Sequence, residues 1–222
     1  EKIVRAVAFN LAPKHQAIYE EMQRRKLAEV NDTVITAFNG AVLWTKLLQI
    51  ASGSVYGPES AECIDDRRYE LVVDLAEEAP FSVVLFQWQH QRNKLEELAK
   101  ARGITFATID GETSRSERAR IVEAYQAGFY RILFGHPQSM GHGLTLTRGV
   151  RTIWASPTIN LEWWEQANRR IFRIGQTRRT ETIVVVAENT KDQDAYDGCM
   201  AKREVSGSFL DQIHQSTYAK AA

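Results

Sequence analysis

Five arginines stand between residues 166 and 180, with no acidic residue among them. They are Arg169, Arg170, Arg173, Arg178 and Arg179. A planar guanidinium can bind phosphate through two parallel hydrogen bonds, so a cluster of arginines without lysines suits phosphate, either free or on nucleic acid. The alternative is a solvated helix face, and charge alone does not separate the two interpretations.

A glycine-containing loop is the second segment suited to phosphate chemistry. It covers residues 135–147, where Gly141 and Gly143 can adopt positive φ and expose backbone amides to an anion. A simple turn is the alternative for a lone Gly-x-Gly. Arg170 and Arg173 are three residues apart, which predicts that both project from one helix edge. If the strands before the loop and before this helix are neighbours, both segments face one crevice at the carboxyl ends of a parallel sheet.

The elements that position these segments change in character near residue 80. Before it the pattern is helical, with helices beginning at Pro13, capped by Asp32, and running from Asp66 to Glu78. After it, apolar strands alternate with helices. The strands lie near 82–86, 104–109, 131–134, 152–155 and 182–187, and the helices near 91–102, 114–127 and 161–172. This alternation predicts right-handed βαβ units and a parallel sheet flanked by helices, with an N-terminal helical extension.

The composition excludes several classes of protein. The chain has 222 residues, of which 44% are hydrophobic and 25% charged, as in an ordinary globular domain. No apolar run approaches the roughly 20 residues of a membrane span. The two cysteines, Cys63 and Cys199, are too few and too far apart for a disulfide framework, which favours a reducing compartment. A membrane protein, a secreted mini-protein and a disordered tail are therefore excluded.

Several common catalytic motifs are missing. No glycine is followed by lysine, so the sequence has no Walker A phosphate loop. Residues 71–74 imitate a Walker B strand, but Leu75 follows them and the segment has helical periodicity. The five histidines lack cysteine or carboxylate partners at the spacing of metal ligands, so no metal site is expected. A dinucleotide-binding enzyme is disfavoured because Gly-x-Gly-x-x-Gly does not follow a first strand.

Four blocks between residues 83 and 202 resemble, in the correct order, motifs of a known helicase lobe. It is the second RecA-like lobe of superfamily-two helicases of the Swi/Snf translocase type. The blocks are the first strand at 84–87, the Asp-Gly-x-Thr block at 110–113 with Arg118, the Gly-rich fifth motif at 141–147 and the sixth motif at 166–176. The His-Pro-x-Ser-x-Gly form of residues 136–141 is similar to the phage and prophage branch.

Three positions depart from the family pattern. Arg169 replaces an aspartate of the sixth motif, Met140 replaces the first of two glycines, and Thr145 stands where asparagine is usual. The last two changes affect the detail of the fifth motif but leave the resemblance of the lobe intact.

The resemblance implies a domain organisation and a set of ligands. Residues 1–80 would be a helical inter-lobe connector, 81–205 the C-terminal RecA-like lobe and 206–222 a tail helix. ATP and Mg²⁺ would be bound mainly by a first lobe that carries the Walker motifs and that this chain does not contain. The other expected partner is DNA, double-stranded and held by its phosphate backbone, in the cytoplasm of a bacterial or phage-infected cell and without a membrane.

The same resemblance assigns site residues. Arg170 and Arg173 would be arginine fingers to the γ-phosphate of ATP. The remaining candidates are Gly141, Gly143 and Gln166 for the nucleotide, and Thr113, Ser139 and Thr147 for DNA. The function expected is the second motor lobe of an ATP-dependent DNA helicase or translocase, inactive as an ATPase alone. The alternative is a non-catalytic module that binds nucleic acid or protein through a surface patch of arginines.

Overall fold

The computed structural model describes residues 2–140 and 143–219, with side chains as far as residue 206. The strands are β1 (Lys2–Phe9), β2 (Leu27–Val30), β3 (Thr33–Thr36), β4 (Ser54–Tyr56), β5 (Ala61–Cys63), β6 (Ser82–Leu85), β7 (Phe106–Ile109), β8 (Ile132–Gly135), β9 (Arg151–Trp154) and β10 (Thr180–Ala187). The helices are α1 (Pro13–Arg25), α2 (Gly40–Ala51), α3 (Arg67–Glu77), α4 (Gln89–Ala101), α5 (Arg115–Ala127), α6 (Leu161–Asn168) and α7 (Lys191–Ala219). Among these helices, none combines the length and the apolar character needed to cross a bilayer.

Six of the strands form one parallel sheet in the order β1-β10-β9-β6-β8-β7. Every residue of β6 and β8 is buried, as expected for central strands covered on both faces. Neighbouring side chains alternate between the faces. Val84 and Phe134 pack with α1 to α4, whereas Val83 and Leu133 pack with residues of α5, α6 and α7. The predicted α/β class, its parallel sheet and its five strands after residue 80 are therefore confirmed.

The first eighty residues are less helical than the sequence pattern predicts. The expected helix capped by Asp32 is wrong, because β2 and β3 form an antiparallel hairpin there. Asn31 and Asp32 have φ of 48° and 65°, which suits the two-residue turn of a hairpin. The β-branched run of β3 then favours a strand. The helix begins only at Gly40, where the side chain of Asn39 accepts a hydrogen bond from the backbone N of Val42 (2.9 Å).

The N-terminal segment is also integrated into the main sheet. Strand β1 pairs with β10 over its whole length, from Lys2 opposite Thr180 to Phe9 opposite Ala187. Helices α1, α2 and α3 bury Met22, Ile50 and Val72 completely in the core on one face of the sheet. The segment therefore shares a core with the lobe, and its role as an inter-lobe connector stays a prediction.

Two other expectations concern helix positions. Residues 71–74 lie within α3, as their helical periodicity predicts, and not in a strand of Walker B type. The C-terminal helix α7 runs without interruption from Lys191 to Ala219, so the proposed boundary at residue 206 falls inside one helix. Residues 220–222 of the predicted tail lie outside the described residues.

A buried arginine connects the N-terminal segment to the sheet. Arg68, in the first turn of α3, is completely buried and donates to the backbone oxygens of Ala51 (2.8 Å), Ala155 (2.7 Å) and Val185 (2.6 Å). Its Nη2 also lies 2.6 Å from Oδ2 of the buried Asp192 at the start of α7. One side chain thus fixes the end of α2, two strands and α7 relative to each other.

Candidate functional site

The arginine segment follows helix α6 and is not part of it. The side chain of Asn160 caps α6 by accepting from the backbone N of Trp163 (3.1 Å). The helix ends at Asn168, so Arg170 and Arg173 lie in consecutive turns after its end. The prediction that both arginines project from one helix edge is therefore wrong.

The early end of α6 has a physical cause in the side chain of Asn168. This residue is 2% exposed, and its Nδ2 donates to the backbone oxygen of Trp164 (2.9 Å). Its Oδ1 accepts from Nε1 of Trp154 (3.4 Å) and Oγ1 of Thr182 (3.1 Å). These bonds attach the end of the helix to β9 and β10. No local sequence pattern indicates this role, because the two side-chain donors come from β9 and β10.

The glycine-containing loop and the arginine segment contact each other directly. The backbone N of Leu146 donates to the oxygen of Arg170 (2.9 Å). Nη1 of Arg173 donates to the backbone oxygen of Leu144 (3.1 Å) and to Oγ1 of Thr145 (3.0 Å). Thr145, at the position where the family usually has asparagine, therefore provides a hydrogen-bond acceptor for Arg173.

The loop reaches the arginine segment by a different path from the one predicted. Strands β8 and β9 are not neighbours, because β6 pairs with both and lies between them. The loop meets the arginines because it travels from the end of β8 back to the start of β9, along the side of the sheet that α6 covers. The two segments are in contact, but the expectation that both face one crevice depended on neighbouring strands, and that premise is wrong.

Gln176 completes the junction between the two segments. Its Nε2 lies within hydrogen-bonding distance of the backbone oxygens of Thr147 (2.9 Å), Gly149 (2.9 Å) and Ile171 (3.3 Å). Arg178 donates to the oxygens of Thr147 (3.2 Å) and Arg148. Gln176 is the last residue of the sixth motif, and the sequence predicted no role for it. In the structure it holds the loop against the arginine segment.

The arginines give this junction a positive charge. Burial lowers the pKa of the Arg170 guanidinium below its ordinary value, and the nearby charge of Arg173 lowers it further by repulsion. A guanidinium nevertheless stays protonated near neutral pH. Two cations that repel each other are both stabilised by an anion placed between them, so this junction suits a phosphate group.

Arg169 occupies a different surface from its two neighbours. Its side chain is 73% exposed, and its Nη2 lies 3.4 Å from Oε2 of Glu165. Glu165 also pairs with Arg203 of α7 (3.5 Å), so Arg169 faces that helix. Gln166 is half-buried, and its Nε2 donates to Oε1 of Glu162 one turn earlier in α6 (2.7 Å).

The glycines of the fifth motif are described only in part. Gly141 and His142 lie outside the described residues. Gly143 has φ of +64° and is exposed, which is the conformation expected of a glycine that presents its backbone to a ligand. The preceding Met140 is fully buried against Gly135, where an added Cβ would come within 2.6 Å of Met140 Cγ. Methionine can therefore replace the family's glycine because its side chain fills the core.

The three candidate DNA contacts do not lie in one place. Ser139 lines a cleft at the carboxyl ends of the strands, together with the turn of Asp110. Thr113 belongs to that turn: its hydroxyl accepts from Asp110 N (3.0 Å) and donates to Asp110 Oδ1 (3.1 Å). Thr147 instead lies at the junction described above, where its hydroxyl accepts from Nε2 of Gln126 (3.1 Å).

The carboxyl of Asp110 has a lowered pKa despite its partial burial. Burial favours a higher pKa for this carboxyl, but hydrogen bonds from the backbone of Glu112, from Arg92 and from Thr113 outweigh it and leave the pKa below its usual value. The neighbouring His136 packs between the rings of Phe86 and Trp163, and burial lowers its pKa. Within residues 2–140 and 143–219, no three His, Cys, Asp or Glu side chains cluster as metal ligands do.

Known proteins are similar to this chain in sequence. Residues 67–175 match the family model of the helicase conserved C-terminal domain. A putative protein p41 of Acyrthosiphon pisum secondary endosymbiont phage 1 is 28% identical over 227 residues, which cover 96% of this chain and 46% of that protein. An uncharacterized ATP-dependent helicase of Mycoplasma pneumoniae is 26% identical over 222 residues, covering 96% of this chain and 21% of the helicase. The chain thus spans less than half the length of both relatives.

Two solved structures have a similar fold. The C-terminal part of the Fun30 ATPase domain superposes with a TM-score of 0.65 at 11% identity, over 89% of this chain and 88% of that one. The SWI2/SNF2 ATPase core domain of Sulfolobus solfataricus superposes with a TM-score of 0.64 at 20% identity, over 91% of this chain and 43% of that one.

Proposed function

We propose that this chain is a C-terminal RecA-like lobe of the Swi/Snf type of superfamily-two helicase and that it supplies the arginines of an ATP-driven motor, because residues 67–175 match the helicase C-terminal domain and the fold is similar to that of Swi/Snf ATPase lobes. ATP would bind between this lobe and a first lobe of the longer protein, which would also hold Mg²⁺. Arg170 and Arg173 would stabilise the charge that develops on the γ-phosphate, and an arginine finger can contribute on the order of 10³–10⁵ in rate. Movement along DNA would follow from closing and opening the two lobes.

One observation carries this proposal: the contact between Arg173 and the fifth-motif loop at Leu144 and Thr145. A surface patch of arginines needs only charge, whereas here the two segments are joined by specific hydrogen bonds. The repulsion between Arg170 and Arg173 adds a reason to bind an anion. Gly143 would bring its backbone close to the nucleotide, and we keep Gly141 in the same role. Gln166 would orient the arginines from the preceding helix.

We expect the isolated chain to have no ATPase activity. Its sequence contains no Walker A lysine, so most of the contacts that hold the triphosphate and Mg²⁺ are absent. The measurement is phosphate release by the purified chain with and without DNA, beside the longer two-lobed protein. A turnover of a tenth or more of that protein's rate would contradict this expectation.

Contacts with DNA would be made at the carboxyl ends of the strands. We propose that Ser139 and the turn of Thr113 contact the phosphate backbone there, because both border the same cleft. Thr147 is left out of this surface, since it does not border this cleft and lies beside Gln126, where the loop meets the arginine segment. Backbone contacts carry no sequence information, so binding would not depend on sequence.

We therefore expect the chain to bind duplex DNA weakly and without sequence preference. A chain of net charge zero can make only a few phosphate contacts, and the logarithm of the affinity should fall by roughly 0.9 per contact for each tenfold rise in salt. Fluorescence anisotropy with two unrelated duplexes at several salt concentrations measures both properties. Tight and sequence-selective binding that salt does not weaken would disprove this interpretation.

A further inference from the structure

A second cleft, of about 300 Å³, lies beside the one that contains Ser139. Gln87 and Trp88, which follow β6, line both clefts and so form the wall between them. The second cleft is mainly apolar, with Leu48, Ile159 and Trp163 among its walls, and Asp192 also borders it. We call it the tryptophan cleft. The site proposed for ATP does not use it.

The tryptophan cleft is held in shape by buried hydrogen bonds. Gln91 is completely buried, its Oε1 accepts from the backbone N of Gln87 (2.9 Å), and its Nε2 donates to Oγ of Ser156 (2.7 Å). Because Gln87 follows β6 and Ser156 follows β9, this one side chain fixes the two walls relative to each other. The cleft is therefore formed before any ligand binds.

Both tryptophans are supported by histidines. The ring of Trp88 is stacked on His90 at an interplanar angle of 13°, with centroids 6.4 Å apart. The ring of Trp163 meets His136 edge to face, with centroids 5.5 Å apart. Rings that are held in this way are suited to pack against another planar group, because little side-chain freedom remains to be lost.

Two buried polar atoms at this cleft have no hydrogen-bond partner within the described part of the chain. One is Oδ1 of Asp192, whose other oxygen is paired with Arg68 and with the backbone N of Ala187. The other is Nε2 of Gln87, a donor. The residue Asp192 is itself completely buried. Buried polar atoms are normally satisfied, so these two atoms suit a ligand that offers one hydrogen-bond donor and one acceptor.

The charges at the cleft favour a neutral ligand. Arg68 already neutralises Asp192, so a second cation would bring an uncompensated charge into an apolar cleft. A nucleobase is a flat, neutral group that carries hydrogen-bond donors and acceptors and can pack on tryptophan. We propose that the tryptophan cleft receives one unpaired base of the bound DNA, with Asp192 accepting from a base N–H and Gln87 donating to a base nitrogen or oxygen. This inference rests on the DNA contact proposed above, since Ser139 would hold the adjoining phosphates.

The test compares two duplexes of equal length, one perfectly paired and one with a single extra adenine in its centre. We expect the native chain to bind the bulged duplex about fivefold more tightly or better, because stacking of one base on an aromatic side chain is worth that much. Trp88→Leu should remove this preference by removing the ring. Gln87→Met, which keeps the length of the side chain but not its donor, should reduce it. A 2-aminopurine at the bulge reports the environment of the extra base by its fluorescence.

Trp44→Leu is the matched control, because Trp44 lies on α2 and does not line the cleft. This variant should keep the preference for the bulge. Equal affinity of the native chain for both duplexes, or a preference that survives both Trp88→Leu and Gln87→Met, would overturn the base site and leave the motor function untouched. Failure of the native chain to bind either duplex would instead contradict the DNA contact itself, and the base site with it.

Discussion

Replacing Arg170 or Arg173 with alanine in the longer two-lobed protein is expected to lower ATP turnover by ~10²-fold or more. This loss corresponds to a rise in the activation barrier of ~2.7 kcal/mol. The two guanidiniums repel each other in the structure and would be stabilised by the charge that develops on the transferred phosphoryl group. The affinity for ATP should weaken much less, because most ground-state contacts would belong to the first lobe. The measurements are steady-state ATPase activity at saturating DNA and nucleotide affinity for each variant.

Arg169→Ala is the internal control for this prediction. It removes the same charge from the adjacent position, but its side chain pairs with Glu165 and faces α7, away from Thr145. We expect little loss of turnover from it. Arg173→Lys should rescue poorly, because a lysine cannot reproduce the planar fork. If Arg169→Ala is as damaging as Arg173→Ala, the cluster acts through bulk charge, and the arginine-finger assignment is wrong.

Arg68→Met is expected to lower the free energy of unfolding strongly. The substitution leaves the buried carboxylate of Asp192 without its counter-charge and removes three hydrogen bonds to backbone oxygens. Removing one partner of a buried ion pair typically lowers the free energy of unfolding by about 3–5 kcal/mol. For a domain of this size, the corresponding fall in melting temperature is roughly 6–20 °C. Thermal and urea denaturation followed by circular dichroism would measure both quantities.

The neighbouring Arg67 provides the comparison. Its side chain is 50% exposed, and it pairs with Asp65, whose side chain is 10% exposed. A half-exposed ion pair contributes less than a fully buried one, so Arg67→Met should lower the free energy of unfolding less than Arg68→Met does. Equal destabilisation by Arg67→Met and Arg68→Met would show that the buried network is not the source of the effect.

The parts of the fold that the sequence predicted are those with strong local signals. Apolar runs such as that of β6, bounded by polar residues and alternating with helices, predicted the parallel sheet after residue 80. The hairpin of β2 and β3 was missed because its strands are half exposed and lack the continuous apolar run that marks β6. The Asn31-Asp32 turn was the signal that could have revealed it.

The site was predicted by motif, but its geometry was not. The end of α6 at Asn168 depends on Trp154 and Thr182, which come from distant parts of the sequence. The position of β6 between β8 and β9 is likewise a property of topology, which no local pattern encodes. Arg68 looked like any surface arginine beside Arg67, because burial of a charged side chain depends on partners elsewhere in the fold. Tertiary contacts decided each of these features.

The pairing of β1 with β10 has a consequence for synthesis on the ribosome. Phe9 pairs with Ala187, so β1 leaves the ribosome long before its partner, which lies 178 residues further along the chain (187 − 9). At about 5–20 residues per second, this delay is roughly 9–36 s. During that time β1 exposes an unpaired backbone edge, which is a template for pairing with other nascent chains. Protection of this strand from aggregation is therefore needed during translation, before β10 has been synthesised.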